Sequence, residues 1–153
     1  HSPQKRRVIA EFRRRVFLDL IGTLPTVEEI RRFLANPRPT KRDEVIADLL
    51  HRPEFAAYWA LFWADLLRVE EKSLDRKGVE VFYGWLRRQI AEGRPLNELA
   101  RDLFLGRGST YLDGPANYYR ALRDPTSRAA ASLSLSGCAT PGTAGLACPR
   151  SIR

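Results

Sequence analysis

The sequence predicts an all-α fold, an irregular bundle of about six to eight short helices with a disordered C-terminal tail. Apolar residues recur at spacings of three and four along most of the chain, as on one face of a helix. Polar turns with Gly or Pro separate these stretches, and none alternates apolar and polar residues as a half-buried strand does. We therefore expect one helical domain over residues 7–132 and an unstructured tail over residues 133–153.

The first predicted helix runs from about Arg7 to Ile21 and contains three consecutive arginines, Arg13–Arg15. Gly22 is a suitable stop, because glycine adopts the left-handed conformation at a helix end without steric cost. Leu24 and Pro25 keep the next residues extended. The apolar stripe of this helix comprises Val8, Ile9, Phe12, Val16, Phe17, Leu20 and Ile21.

The second helix is predicted to start at Thr26, which forms a capping box with Glu29 three residues later. Its buried face is expected to contain Ile30, Phe33 and Leu34. The prolines of residues 36–39 end it.

The third predicted helix covers about Lys41 to His51, with Thr40 as its candidate N-cap. The fourth covers about Glu54 to Val69, and Pro53 suits its first turn.

The fourth helix is the most apolar segment and carries an aromatic stripe. Trp59 and Trp63 are four residues apart and therefore share one face. Such a stripe can line a ligand pocket, but large aromatic side chains more often form the core. Asp65 lies at the edge of the stripe, and we expect a buried or half-buried pair between one of Arg13–Arg15, or Asp19, and the helix that carries Asp65.

The charged residues 70–78 contain few apolar side chains and are predicted to form a mobile loop. A fifth helix is expected over about residues 79–92, and a sixth begins at Pro95 and ends at residues 106–109. Two short helices are expected over residues 117–123 and 126–135.

The chain is basic, with a net charge of +8 and a pI near 10.1. The arginines are spread along the sequence and interleaved with Asp and Glu, which is typical of solvated helix faces. The charge therefore does not favour nucleic acid as a partner. No stretch is long and apolar enough to span a membrane, and no signal peptide is visible. The absence of Met predicts a fragment or a processed chain.

No residues form a recognisable catalytic or metal-binding pattern. The only cysteines and histidines are Cys138, Cys148, His1 and His51, and their spacing fits no common zinc site or disulfide framework. Adjacent acids such as those at 28–29, 43–44 and 70–71 do not face each other on a helix. We expect no metal and no cofactor in this chain, and we assign no catalytic residue.

Two motifs resemble a known family. Residues 14–29 read Arg-Arg-Val-x-Leu-Asp-Leu-x-Gly-x-Leu-Pro-Thr-x-Glu-Glu, and residues 59–66 read Trp-x-x-x-Trp-x-Asp-Leu. Together they resemble the planctomycete domain of unknown function 1549, also called the second planctomycetal cytochrome-associated domain, over residues 12–135. The matching positions, for which we expect structural roles, include Arg14, Asp19, Gly22, Pro25, Glu29, Trp59, Trp63 and Asp65.

The resemblance implies a mostly helical module of a large exported protein, located outside the cytoplasm. It also implies neighbouring domains as partners, among them a cytochrome-c-like module. The family has no established activity, so the resemblance transfers no catalytic residue. The first interpretation is a module that acts structurally or by interaction.

The chain departs from the family pattern where a Cys-x-x-Cys-His cluster is expected. Its last residues contain no Asp or Glu after Ser132 and are rich in Gly, Pro, Ala, Ser and Thr. We hypothesise that this tail is translated out of frame from about Ser132 or Ser134. The alternative function is therefore a fragment of a redox or hydrolytic enzyme whose Cys/His site is missing here, and whether the chain is an enzyme stays open.

Overall fold

The structure is a computed structural model that describes the backbone of residues 3–139 and the side chains of residues 11–133 and of Leu135. Within that backbone it contains eight α-helices, one short 3-10 helix and no strand, which confirms the all-α prediction. The predicted tail beyond residue 139 lies outside the described residues. The helices are α1 (Pro3–Ile21), α2 (Val27–Ala35), α3 (Lys41–Leu50), α4 (Pro53–Leu66), α5 (Glu71–Ala91), α6 (Leu96–Leu105), the 3-10 helix (Pro115–Asn117), α7 (Tyr118–Ala121) and α8 (Pro125–Ala139).

The chain forms two compact units, His1–Trp59 and Ala60–Arg153, and the boundary between them falls within α4. In the first unit, Phe17 and Ile21 of α1 pack with Leu49 of α3 in a small core. The residues packed around this core are Val16, Leu20, Val45 and Phe55.

The second unit contains the larger core. Trp63 is buried in it, which agrees with the structural interpretation of this part of the aromatic stripe. Tyr118 of α7 is fully buried, and its hydroxyl lies 3.0 Å from the Ser132 Oγ on α8. The largest other buried members of this core are Leu67, Leu74, Phe82, Trp85, Leu86, Leu99, Leu103, Leu122 and Leu135.

The local signals around α2 are confirmed. Gly22 has a φ of 70° and ends α1, as predicted. Thr26 and Glu29 form the predicted capping box: the Thr26 Oγ1 accepts the Glu29 N–H at 3.3 Å, and the Glu29 Oε2 accepts the Thr26 N–H at 2.7 Å. The predicted cap at Thr40 is wrong, because its hydroxyl donates to the Glu44 Oε1 at 2.8 Å and makes no cap hydrogen bond.

The predicted loop over residues 70–78 is wrong, because α5 begins at Glu71. Leu74 and Gly78 are buried, and these two residues anchor the otherwise charged segment to the protein. Asp75 interrupts the helix with a φ of 58° and a ψ of 168° and divides α5 at a kink. The last helix is also longer than predicted, since α8 continues to Ala139.

Candidate functional site

The arginine run of α1 contributes one buried residue. Only 4% of the Arg13 side chain is exposed, whereas Arg14 and Arg15 lie at the surface. The Arg13 guanidinium carbon lies 4.7 Å from the Phe33 ring centroid and 5.6 Å from that of Phe17. Its Nη1 donates to the Glu29 carbonyl oxygen, so Arg13 joins α1 to α2.

The predicted half-buried ion pair of Asp65 is wrong, because Asp65 and Asp19 are both exposed. Sequence spacing did not single out Arg13 as the buried arginine of this run, and it did not identify its partner. The partner oxygen belongs to the Glu29 backbone, and a backbone acceptor leaves no signal in the residue type.

Glu29 is the acidic centre of the first unit. Its Oε1 forms an ion pair with the Arg52 Nη2 at 2.7 Å, and the Arg52 guanidinium lies over the Phe17 ring. Burial raises the pKa of Glu29, but hydrogen bonds from the Thr26 N–H and from Arg52 outweigh it and hold this pKa below its ordinary value.

A cleft of about 250 Å³ lies beside this cluster. Its charged groups are largely engaged with one another: Arg52 pairs with Glu29, and the Lys41 Nζ donates to the Asn36 carbonyl at 3.1 Å. Glu44 accepts hydrogen bonds from Thr40 and Asn36. These groups stabilise the fold of the first unit.

The outer face of α2 is apolar and exposed. Val27, Ile30, Arg31 and Leu34 follow the spacing of one helix face, and we call these four residues the α2 stripe. Val27 is 65% exposed and Leu34 is 56% exposed. The predicted burial of Ile30 and Leu34 is therefore wrong, and only Phe33 of that set enters the core. The contacts of Arg13 with Glu29 and Phe33 fix which side of α2 faces inward.

A larger cleft, of about 380 Å³, lies within the second unit between α5, α6 and the chain that follows α6. We call it the Trp85 cleft. Trp85 is buried beside it, and Leu105 and Leu112 are exposed at its edges. Its lining residues are Trp85, Arg88, Asp102, Leu105, Gly106, Arg107, Leu112, Asp113, Gly114 and Pro115.

The backbone of Gly114 approaches Trp85 closely. A Cβ atom at position 114 would overlap the Cβ and ring of Trp85, so this contact requires glycine. The Asn117 Nδ2 donates to the Thr110 carbonyl at 2.7 Å and holds the same loop from its other end. The wall of the Trp85 cleft is therefore formed before any ligand arrives.

The same loop is tied to the kink of α5. The Tyr111 hydroxyl donates to the Asp75 Oδ2 at 3.1 Å, and the Arg120 Nη2 donates to that oxygen at 2.6 Å. The Asp75 Oδ1 accepts the Gly78 N–H at 2.9 Å. This backbone hydrogen bond, followed by the one from Arg120, lowers the pKa of Asp75.

The two acids of the Trp85 cleft accept hydrogen bonds from the protein, whereas its two arginines have no acidic partner among the side chains that the structure describes. Asp102 accepts a hydrogen bond from the Arg94 Nη1 at 2.8 Å, and Asp113 accepts the Ser109 N–H at 3.1 Å. Arg88 and Arg107 are exposed and have no ion-pair partner in the described part of the chain. Two guanidinium groups are thus available to an anionic ligand.

The described side chains contain no group of three His, Cys, Asp or Glu residues that could hold a metal ion. His51 is exposed, and its Nδ1 lies 2.7 Å from the Ala47 carbonyl oxygen. The side chains of Cys138 and Cys148 lie outside the described residues. Among the described helices, none has the length and hydropathy required to cross a bilayer.

The sequence profile of the family described as PSCyt2, a protein of unknown function (DUF1549), matches residues 1–131. The chain belongs to this family. No curated protein and no solved structure shows significant similarity to it.

Three of the residues on which the family resemblance rests have structural positions here: Glu29 completes the capping box of α2, Gly22 ends α1 and Trp63 fills the core. Sequence reasoning missed the Trp85 cleft. Its signal was the cluster of glycines at 106, 108 and 114 before Pro115, which marks a loop held close to other backbone.

Proposed function

We propose that the chain is a helical module of a larger exported protein and that it acts by binding a neighbouring domain. The observation that carries the proposal is the α2 stripe. An amphipathic helix normally turns its apolar face to the core, but α2 presents Val27, Ile30 and Leu34 outward. Exposed contiguous apolar residues on a folded protein mark surfaces that bind other proteins.

The stripe also specifies the chemistry of its partner. Arg31 lies between Val27 and Leu34 on the same helix face, and within the described structure it has no ion-pair partner. A guanidinium among apolar side chains selects an apolar surface that carries a carboxylate. We therefore expect the neighbouring domain to offer an apolar groove with an Asp or Glu at its edge.

The family resemblance supports the wider setting of this proposal. It suggests a location outside the cytoplasm and a cytochrome-c-like module among the neighbouring domains. Structural groups such as Arg13, Glu29 and Arg52 are engaged in holding the helices together, which leaves the outer surface for binding.

Maleimide labelling of a single introduced cysteine tests the proposal. Leu34→Cys, with Cys138 and Cys148 replaced by Ser, is labelled in the isolated chain and in the full-length protein. We expect labelling to be about tenfold slower in the full-length protein, because the partner domain covers the stripe. Arg14→Cys, exposed on α1, is the matched control and should label at similar rates in both. Equal rates for Leu34→Cys in the two proteins would contradict the proposal.

The alternative is a fragment of a redox or hydrolytic enzyme whose Cys/His site belongs to the family cluster that this sequence lacks. A Cys-x-x-Cys-His element attaches haem or binds a metal. Visible absorption and metal analysis of a chain that carries the family cluster test this alternative. Bound haem or metal would support it, and a protein without either would count against it.

A further inference from the structure

We infer that the Trp85 cleft is a second binding site, which takes an extended peptide segment with a large apolar residue between acidic residues. The site lies entirely within the second unit and is separate in sequence from the α2 stripe. Its volume of about 380 Å³ is in the range of protein clefts that hold ligands.

The apolar part of the peptide is specified by the edges of the cleft. Leu105 is 64% exposed and Leu112 is 80% exposed, and both line the same cleft as the buried Trp85. A large apolar side chain between these leucines would remove their surface from water. Because both edges are open to solvent, the cleft suits a segment that lies across it more than an enclosed small molecule.

The acidic part of the peptide is specified by the two arginines of the cleft that have no ion-pair partner in the described structure. Asp102 is held by Arg94, and Asp113 is held by the Ser109 N–H, whereas Arg88 and Arg107 have no acidic partner among the described residues. Each free guanidinium can bind a carboxylate through two parallel hydrogen bonds. The cleft therefore offers two places for carboxylates beside its apolar edges.

The two acids of the cleft also disfavour a polyphosphate ligand. Asp102 and Asp113 line the same cleft as the arginines and would repel the continuous row of phosphates of a nucleic acid. A peptide can place its carboxylates next to Arg88 and Arg107 and present apolar or neutral atoms elsewhere. This pattern favours a peptide over a polyphosphate chain.

The cleft is prepared for binding because its wall is fixed. Gly114 packs on Trp85, and Tyr111 is held by Asp75, so the loop does not have to be ordered by the ligand. A site formed in advance loses less conformational entropy on binding. A short peptide can then bind measurably through few contacts.

Titration of the full chain with acetyl-Ala-Glu-Phe-Asp-Ala-amide tests the inference. Binding is followed by isothermal titration calorimetry and by the NMR signal of the Trp85 indole N–H. We expect saturable binding, a shift of the Trp85 signal, and affinity about tenfold lower for the peptide with Gln and Asn in place of the acids. A peptide with Ala in place of Phe should also bind more weakly.

Substitutions locate the site. Arg88→Gln with Arg107→Gln should weaken binding about tenfold, and Leu112→Ala should weaken it severalfold. These residues are exposed, so the variants should retain their circular dichroism spectra and unfolding transitions. Arg101→Gln, an exposed arginine of α6 outside the cleft, is the matched control and should bind as the parent chain does.

Four results would overturn the inference: no saturable binding, equal affinity for the neutral peptide, an unaffected double arginine variant, or an unmoved Trp85 signal. Hexanoate and a short oligonucleotide serve as competing probes. A response to either that equals the response to the peptide would assign the cleft to free acids or to nucleic acid instead.

Discussion

The guanidinium carbon of Arg13 lies 4.7 Å from the centroid of the Phe33 ring, and the arginine is almost fully buried. Burial of a guanidinium is tolerated when aromatic faces and hydrogen-bond acceptors replace water. Phe33 and Phe17 supply the faces, and the Glu29 carbonyl supplies an acceptor. Burial lowers the pKa of Arg13 from its ordinary value. Arg13 is therefore a structural cation that joins α1 to α2.

Replacement of Arg13 should destabilise the protein. We expect Arg13→Ala to lower the free energy of unfolding by about 2–4 kcal/mol, because it removes ring contacts and leaves a gap in the core. Arg13→Lys should recover only part of the loss, because an ammonium cannot cover two rings. Urea unfolding measures the change. Arg14→Ala, at the exposed next position, should stay within about 0.5 kcal/mol of the parent chain, and an equal loss at both positions would refute the structural role.

The Thr26 and Glu29 capping box predicts both a stability change and a pH dependence. Thr26→Ala should cost about 1 kcal/mol. The folded-state pKa of Glu29 is lowered, so its stabilising contribution is present above its ordinary pKa of 4.5. That contribution is lost as the pH falls through the lower folded value.

The free energy of unfolding of Glu29→Gln should therefore fall less than that of the parent chain between neutral pH and about pH 3. Glu28→Gln is the matched control, since Glu28 is exposed and its side chain makes no hydrogen bond among the described residues. If the free energy of unfolding of Glu29→Gln falls at acid pH as much as that of the parent chain does, Glu29 is not the source of this pH dependence.

Gly22 should resist substitution for two reasons. Its φ of 70° is costly for an L-residue, and an added Cβ would overlap the ring of Tyr58. We expect Gly22→Ala to lower the free energy of unfolding by about 1–3 kcal/mol. Gly84→Ala in α5 is the control of opposite sign: a Cβ there meets nothing within 4 Å, and alanine favours the helix interior by up to about 1 kcal/mol. Thermal unfolding of both variants decides the matter, and a neutral Gly22→Ala would argue against the strained turn.

The backbone and the side chain of Asp75 favour different residues at this position. Its φ of 58° suits glycine, but its carboxylate binds Gly78, Tyr111 and Arg120. Asp75→Ala should therefore lower the melting temperature more than either Asp75→Asn, which keeps an acceptor, or Asp75→Gly, which removes the backbone strain.

The charge of Asp75 also has a pH signature. Because the folded-state pKa of Asp75 lies below its ordinary value of 3.8, its contribution is present above that pH and is lost as the pH falls through the lowered pKa. The melting temperature of Asp75→Asn should therefore fall less between pH 7 and about pH 3 than that of the parent chain. Neighbouring Arg76→Gln serves as the control, and if Asp75→Ala is as stable as the parent chain, the kink does not depend on these bonds.

Features set by a few neighbouring residues could be predicted from the sequence. The stop at Gly22 and the capping box of Thr26 and Glu29 involve atoms within one turn of each other, so residue type and spacing are sufficient. The sequence wrongly predicted a loop over residues 70–78, because most residues of this segment are charged. Its two buried residues, Leu74 and Gly78, are too few to give a helical pattern.

The sequence by itself determined the all-α class, most helix positions and the family, since these depend on local period and on a linear motif. Only the tertiary structure decided which groups meet. Arg13 binds a carbonyl 16 residues away, Arg120 binds Asp75 across 45 residues, and Gly114 closes on Trp85. Such contacts depend on the packing of whole helices, which turned Phe33 inward and left the α2 stripe and the edges of the Trp85 cleft exposed to solvent.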